Sequence, residues 1–373
     1  MKLLIQPDHG IKPIIDALNK AQKCIQILIF RFDRSEVEKA LFDAVQRGVT
    51  VQALIAYTNR GEERNLRRLE MRLLEKGITV ARTADDLVRY HGKMFIVDGK
   101  ELFVLAYNFT HMDIDLSRSF GIATTTPSVV KEAQKLFECD SKRQPYKDDN
   151  EHLIVSPVNS RERLTQFISG AKKKLWLYEM RISDSDFLKL LNKKIAAGVD
   201  VRIISRASAK NGALPVRKLA TRLHLRAILR DGDSAFVGSQ SLRKLEMEAR
   251  REIGLIFKDK PIVKQMEAIF EKDWEQSEPS IDREAITSAF SVPAKKVAKQ
   301  IAKHMELKPV VEQVLEKVLD KKDNSSVEPE EVAQTVHDAF REEVRGAVVD
   351  ALRELVVTTS PEQETKPAAP DKQ

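Results

Sequence analysis

An internal repeat constrains this chain more than any other feature of its sequence. The stretch AQKCIQILIFRFDRSEVEKALFDAVQRGVTVQALI, starting at Ala21, aligns without a gap at an offset of 150 with AKKKLWLYEMRISDSDFLKLLNKKIAAGVDVRIIS, starting at Ala171. Lys23 meets Lys173, Arg31 meets Arg181, Ser35 meets Ser185, Gly48 meets Gly198 and Val51 meets Val201. Each stretch reads as strand, helix, glycine turn, strand. A β-branched and aromatic cluster over residues 25–32 supplies the first strand, Ser35 and Ser185 suit helix N-caps, and Gly48 and Gly198 fall where a helix end wants positive φ. Strands alternating with helices predict an α/β fold in which each repeat is a mixed, mostly parallel sheet flanked by helices.

A second duplicated segment follows each unit: HGKMFIVDGKELFVLAYNFT from His91 and HLRAILRDGDSAFVGSQSL from His224. The offset here is 133, so the second copy has one helix and turn fewer upstream of its histidine. Asp98-Gly99 and Asp231-Gly232, each between apolar runs, signal tight hairpins. The repeats are expected at 1–148 and 149–278. A helical extension is expected over 282–356, where Val332, Val336, Phe340, Val344, Val348 and Leu352 recur every four residues. The polar, proline-rich stretch 357–373 reads as a disordered tail.

The duplicated segments carry chemistry. His91, Lys93 and Asp98 form H-x-K-x4-D; His224, Arg226 and Asp231 form the same frame with arginine for lysine. Asn108 lies 17 residues after His91 and Ser241 lies 17 after His224; Gly238-Ser239 answers Leu105-Ala106, and Glu252 answers Ser119. Splitting a phosphodiester without a metal requires a nucleophile, a proton donor for the leaving oxygen and fixed positive charge for the other oxygens. One neutral imidazole can attack phosphorus while a second, protonated one serves the leaving group. A cation two positions along a strand shares its histidine's face, so each half presents an imidazole and a cation together. Glu252 is suited to hold a ring nitrogen of His224 and fix its tautomer. Arg31, Arg181 and Glu179 fall near strand ends, where α/β folds place ligand sites, although packing ion pairs account for them equally well.

These frames resemble the phospholipase D superfamily, and the resemblance covers about residues 3–277. It implies two motifs meeting across a pseudo-twofold interface to build one active site. His91 then carries over as the nucleophile and His224 as the acid, the reverse assignment being the alternative. Lys93, Arg226, Asn108 and Ser239 fall at phosphate-clamping positions, and Asp98 and Asp231 at positions that brace the backbone. The departures are Arg226 for lysine, Ser241 for the second asparagine, Ala106 for the first serine and Ser119 for the first orienting acid. These losses complement one another, which fits an asymmetric site. Asp113 and Asp115 read as an acidic turn, with a role beside His91 in place of the missing acid as the alternative.

Composition bounds the partners. Lys and Arg total 63 against 56 acidic residues, a net +7, which suits a phosphate-bearing partner. Cys24 and Cys139 stand far apart with no metal-ligand spacing, so neither a disulfide framework nor a metal site is expected, and no cofactor is. The first residues carry too short an apolar stretch for a signal peptide, and no run approaches the roughly 20 apolar residues of a spanning helix. A cytoplasmic chain with at most peripheral membrane contact is expected, and two motifs in one chain make a monomer sufficient. Phospholipid cleavage or phosphatidyl transfer ranks first. A nucleic-acid phosphodiesterase ranks second, because only 6% of residues are aromatic and no stacking platform stands out. A catalytically silent phosphate-binding scaffold ranks third.

Overall fold

The computed structural model describes residues 1–58, 63–206 and 214–279. The helical extension and tail expected at 282–356 and 357–373 lie outside the described residues. The first repeat contributes β1 (Lys2–Gln6), α1 (Lys12–Lys20), β2 (Cys24–Ile29), α2 (Ser35–Gln46), β3 (Thr50–Ile55), α3 (Glu63–Glu75), β4 (Thr79–Arg82), β5 (Arg89–Tyr90), β6 (Met94–Val97), β7 (Glu101–Leu105), α4 (His111–Asp115), β8 (Ser117–Thr124) and α5 (Pro127–Lys142). The second contributes β9 (Leu153–Val155), α6 (Ser160–Ser169), β10 (Lys174–Glu179), α7 (Ser185–Ala196), β11 (Asp200–Ser205), β12 (Val216–Lys218), β13 (Arg222–Leu223), β14 (Arg226–Arg230), β15 (Ser234–Gly238), α8 (Lys244–Glu248), β16 (Arg250–Arg251), β17 (Ile253–Lys258), α9 (Lys260–Glu275) and β18 (Glu278–Pro279). Helix α3 has no counterpart among the described residues of the second repeat, as the shortened offset implies.

The two sheets run β1-β8-β7-β6-β2-β3-β4 and β9-β17-β15-β14-β10-β11-β12-β18, the same order built twice with one extra edge strand. Only β2-β3-β4 and β10-β11-β12 pair in parallel, while the other neighbours along these paths are antiparallel. The sheets are therefore mixed but not mostly parallel. The Asp-Gly turns are the physical reason. Asp98 and Gly99 adopt φ of 53° and 62°, and Asp231 and Gly232 adopt 52° and 77°, which closes β6-β7 and β14-β15 as tight antiparallel hairpins. Gly48 and Gly198, at φ 84° and 79°, turn the chain out of α2 and α7 into their parallel strands. Ser35 and Ser185 are the first helical residues rather than caps. Asp184 caps α7 by accepting the N–H groups of Asp186 and Phe187, and α2 has no side-chain cap.

Alternation along each strand sorts its side chains between two layers. On β2, Ile25, Ile27 and Ile29 face an outer cluster with Ile14 and Leu18 of α1 and Val37 and Leu41 of α2. Leu28 faces inward instead. The inner cluster joins the halves: Leu28, Met94 and Phe120 meet Tyr178, Ala227 and Val237, with Leu136 of α5 and Phe270 of α9 among them. Phe120 and Tyr178 meet edge to face at 5.6 Å across the two repeats. The two sheets thus share one core, and the described residues form one compact unit.

Candidate active site

The halves exchange short strands at the site. β5 pairs in parallel with β16, and β13 pairs in parallel with β8. The N–H of His91 donates to the Arg251 carbonyl at 2.7 Å, and that of His224 to the Arg118 carbonyl at 3.1 Å. Each histidine therefore hangs from the backbone of the opposite repeat, which decides what stands beside its ring. Gly92, between His91 and Lys93, lets Ile253 approach closely: a Cβ at residue 92 would lie 2.5 Å from Ile253 Cδ1.

Glu252 holds His91, not His224 as the sequence suggested. Its Oε1 and Oε2 lie 3.1 and 2.8 Å from His91 Nδ1. On the other side of the ring, Lys93 Nζ lies 2.9 Å from Nε2 and donates to the His91 carbonyl at 2.6 Å. A Nδ1–H shared with Glu252 leaves the lone pair on Nε2, facing the amine. The Phe30 ring meets the imidazole edge to face at 4.5 Å. Burial, reinforced by the charges of Lys93, Arg226 and His224, holds His91 well below the ordinary imidazole value. Burial also pushes Lys93 down to about 7, although Glu252 opposes the shift, and pushes the fully buried Glu252 carboxyl up.

Asp113, on α4, stands beside His224 rather than beside His91, the alternative to its reading as part of an acidic turn. Its Oδ2 lies 3.0 Å from His224 Nδ1, an ion-pair distance too oblique for an aligned hydrogen bond. The same carboxylate accepts from the Asn108 backbone N–H at 3.0 Å, from Asn108 Nδ2 at 2.6 Å and from Arg222 Nη1 at 2.8 Å. Burial pushes Asp113 up, but His224, the Asn108 backbone N–H and Arg222 together outweigh it and hold the carboxyl well below the usual carboxylate range. Burial pushes His224 down to about 4, with Asp113 opposing. The two pairs thus differ: Asp113 stays a carboxylate that opposes the lowering of His224, while Glu252 sits where charge is disfavoured, and burial favours the neutral form of both imidazoles.

Arg226 is buried, and its Nε donates to Ser241 Oγ at 3.1 Å while Nη1 has no partner. Asn108 keeps an unpartnered Oδ1 and the second hydrogen of its amide. Ser239 turns to the backbone instead, accepting from the Ile253 N–H at 3.1 Å and donating to its carbonyl at 3.3 Å, and so fixes the strand that carries Glu252. Asp98 and Asp231 lie at the hairpin turns. Asp98 accepts the N–H groups of Gln22, Lys23 and Cys24, and Asp231 those of Lys172, Lys173 and Lys174. Sequence reasoning missed Glu246, which accepts the Ser241 N–H at 2.8 Å and pairs with Arg243 and Arg250. A signal existed, since Asp113 and Glu246 each lie 22 residues after their histidine.

Two imidazoles and two buried cations, brought together by duplicated frames, make this a histidine-pair site of the phospholipase D type. The chain belongs to the family described as cardiolipin synthase, PLD-like domain, whose model matches residues 14–141 and again 164–274. It is similar to the probable cardiolipin synthase YwiE of Bacillus subtilis (strain 168), with 22% identity over 337 residues covering 74% of this chain and 66% of that protein. It is also similar to a mitochondrial cardiolipin hydrolase of Danio rerio, with 27% identity over 134 residues covering 35% of this chain and 57% of that one. The chain thus spans just under two thirds of the longer match and somewhat over half of the shorter one. Its fold resembles a polyphosphate kinase from Porphyromonas gingivalis, with a TM-score of 0.63, 19% identity and coverage of 72% of this chain and 46% of that one. It also resembles a phosphatidylserine synthase from Haemophilus influenzae Rd KW20, with a TM-score of 0.59, 12% identity and coverage of 74% and 87%.

Proposed function

We propose that this protein cleaves or transfers phosphatidyl groups of phospholipids through a covalent phosphohistidine on His91, and that residues 1–148 and 149–278 act as one catalytic unit. The observation that carries this reading is that each imidazole stands against a carboxylate of the opposite repeat, His91 against Glu252 and His224 against Asp113. His91 Nε2 attacks phosphorus, forming the N–P bond as the P–O bond to the leaving alcohol breaks. That alcohol oxygen takes its proton from His224. His224 then removes a proton from water or an acceptor alcohol, whose oxygen attacks phosphorus and frees His91. Lys93 and Arg226 neutralise the non-bridging oxygens, and Lys93 leaves His91 Nε2 for the phosphate as substrate binds.

A phospholipid substrate is supported by the relatives, one named a probable cardiolipin synthase and the other a cardiolipin hydrolase. Exposed apolar residues on the helices that carry Asp113 and Glu246 support it too. Met112 on α4, Leu116 just after it and Leu245 on α8 are 54%, 64% and 38% exposed, which suits peripheral contact with a bilayer. No helix among the described residues is long and apolar enough to cross a membrane.

The test is turnover with chelator present, on vesicles of phosphatidylglycerol and cardiolipin and, separately, on an oligonucleotide. The expected result is release or transfer of phosphatidyl groups that is lost in His91→Ala. Oligonucleotide cleavage with a steep salt dependence and no lipid turnover would replace this reading with the nuclease. Turnover of neither would leave a phosphate-binding scaffold.

A further inference from the structure

Arg226 is the repeat-mate of Lys93, and Glu179 is the repeat-mate of Ile29. The half that carries a lysine has an aliphatic side chain at the end of its central strand, wholly buried in the outer core. The half that carries a guanidinium has a carboxyl group there, 1% exposed. That carboxyl is not a stray buried charge. Its Oε1 accepts the N–H of Leu242 at 3.1 Å, and its Oε2 accepts the N–H of Arg181 at 3.2 Å. Leu242 adjoins Ser241, whose hydroxyl holds Arg226 Nε and whose N–H is held by Glu246. The Leu242 carbonyl accepts from the backbone N–H groups of Ser183 and Asp184, so the turn is fastened by its N–H to the end of β10 and by its carbonyl to the segment between β10 and α7.

We propose that Glu179 is the positioning residue for Arg226: it staples to the end of β10 the turn after β15 whose Ser241 holds Arg226 Nε, so that Arg226 and Glu179 work as one unit in place of the lone lysine of the first half. The inference rests on the phosphodiester-binding role given to Arg226 above. The reason is physical. A guanidinium is larger than an ammonium and acts through a planar fork, so its plane must be fixed for two oxygens of one phosphate to meet it. Lys93 is steered instead by His91 and by Glu252 from the other repeat.

The charged groups acting most strongly on Glu179 are Arg226 on β14 and Glu246 on α8; Ser205 of β11 lies opposite it, and the N–H of Arg206, just after β11, donates to the Glu179 carbonyl at 3.4 Å. Burial pushes the carboxyl up to about 8, with Arg226 opposing and Glu246 adding to the shift. It is therefore mostly protonated at neutral pH. As pH rises through that value it becomes an anion that competes with a phosphodiester for Arg226.

Dimethyl phosphate, a phosphodiester that keeps one charge throughout the working range, tests this by NMR-monitored titration of the full chain, without any need for turnover. Arg226→Lys and Glu179→Ile are each expected to weaken its binding at least about tenfold, and the double variant, which recreates the Lys93–Ile29 pairing, to return within about threefold of wild type. Glu179→Gln, which cannot ionise and keeps one of the two acceptor oxygens, should weaken neutral-pH affinity less than Glu179→Ile and abolish the loss of affinity through about 8. Additive losses in the double variant overturn the proposal, as does an unchanged pH profile in Glu179→Gln. Wild-type protein that binds dimethyl phosphate but turns over no phospholipid would sink the lipid reading and leave Glu179 to be judged by these variants. No binding at all would sink both.

Discussion

Asp113→Asn is the sharpest probe of how the two histidines divide their work. The replacement keeps the shape of a side chain that touches His224, Asn108 and Arg222, removes its charge and turns one of its two acceptor oxygens into a donor. At the 3.0 Å separation of Asp113 and His224, unit charges in surroundings of effective dielectric about 20 attract by ~5 kcal/mol. Since about 1.4 kcal/mol is a factor of ten, the ceiling on the loss is about 10⁴-fold. Arg222, left without its carboxylate beside His224, disfavours the imidazolium further, while its hydrogen bond to Ser117 keeps it anchored. We expect kcat on a phospholipid to fall by about 10²- to 10³-fold, within the range typical of proton-transfer catalysis. The assay compares that substrate with a nitrophenyl phosphodiester, whose leaving group needs no proton. With the activated ester, the first step should survive and the covalent intermediate should build up, because only its resolution still needs His224. A kcat on phospholipid within about threefold of wild type would refute the assignment of His224 and Asp113 as the acid pair.

Three further outcomes follow from the same geometry. Lys93 is cationic only below about 7 in the free protein, so affinity for dimethyl phosphate should fall as pH rises through that value, and Lys93→Arg should remove that step in the titration. Asp98 is pushed up by burial, but the three N–H groups it accepts win and hold its carboxyl low, so its stabilisation is complete above its unfolded value and is lost as pH falls. Asp98→Ala should therefore cost about 1–3 kcal/mol in urea unfolding near neutral pH and much less in acid. Gly92→Ala should cost about 1–3 kcal/mol and lower kcat, because the new methyl group meets Ile253 Cδ1 at 2.5 Å and Cγ1 at 2.7 Å. Shortening Ile253 to alanine in the same chain should recover part of both losses.

The repeat was legible because strand, helix and glycine turn recur at a fixed offset, and the Asp-Gly pairs named their hairpins. Those same hairpins made the sheets more antiparallel than the alternation of strands and helices suggested. Pattern within a segment reports local structure, but it does not report which segment of the other repeat lies alongside. The pairing of acids with histidines was lost for that reason. Glu252 follows His224 closely in sequence yet binds His91, because β16 crosses to β5, and Asp113 reaches His224 because β13 crosses to β8. The missing acid at Ser119 is explained by the same crossing: Asp113 has taken its place, and Ser119 donates instead to the His224 carbonyl at 2.6 Å. Ser239 fell at a phosphate-clamping position by resemblance, and its hydroxyl here bonds the Ile253 N–H and carbonyl and also acts on the Glu252 carboxyl.

The central claim is a phosphohistidine on His91 served by His224, and peptide mapping by mass spectrometry after rapid acid-free quenching tests it most directly. Protein incubated with phospholipid vesicles or the activated ester should carry the phosphoryl adduct on the peptide containing His91, absent in His91→Ala and accumulating in His224→Ala with the activated ester. An adduct on His224 that survives in His91→Ala would contradict the account and exchange the roles of the two halves.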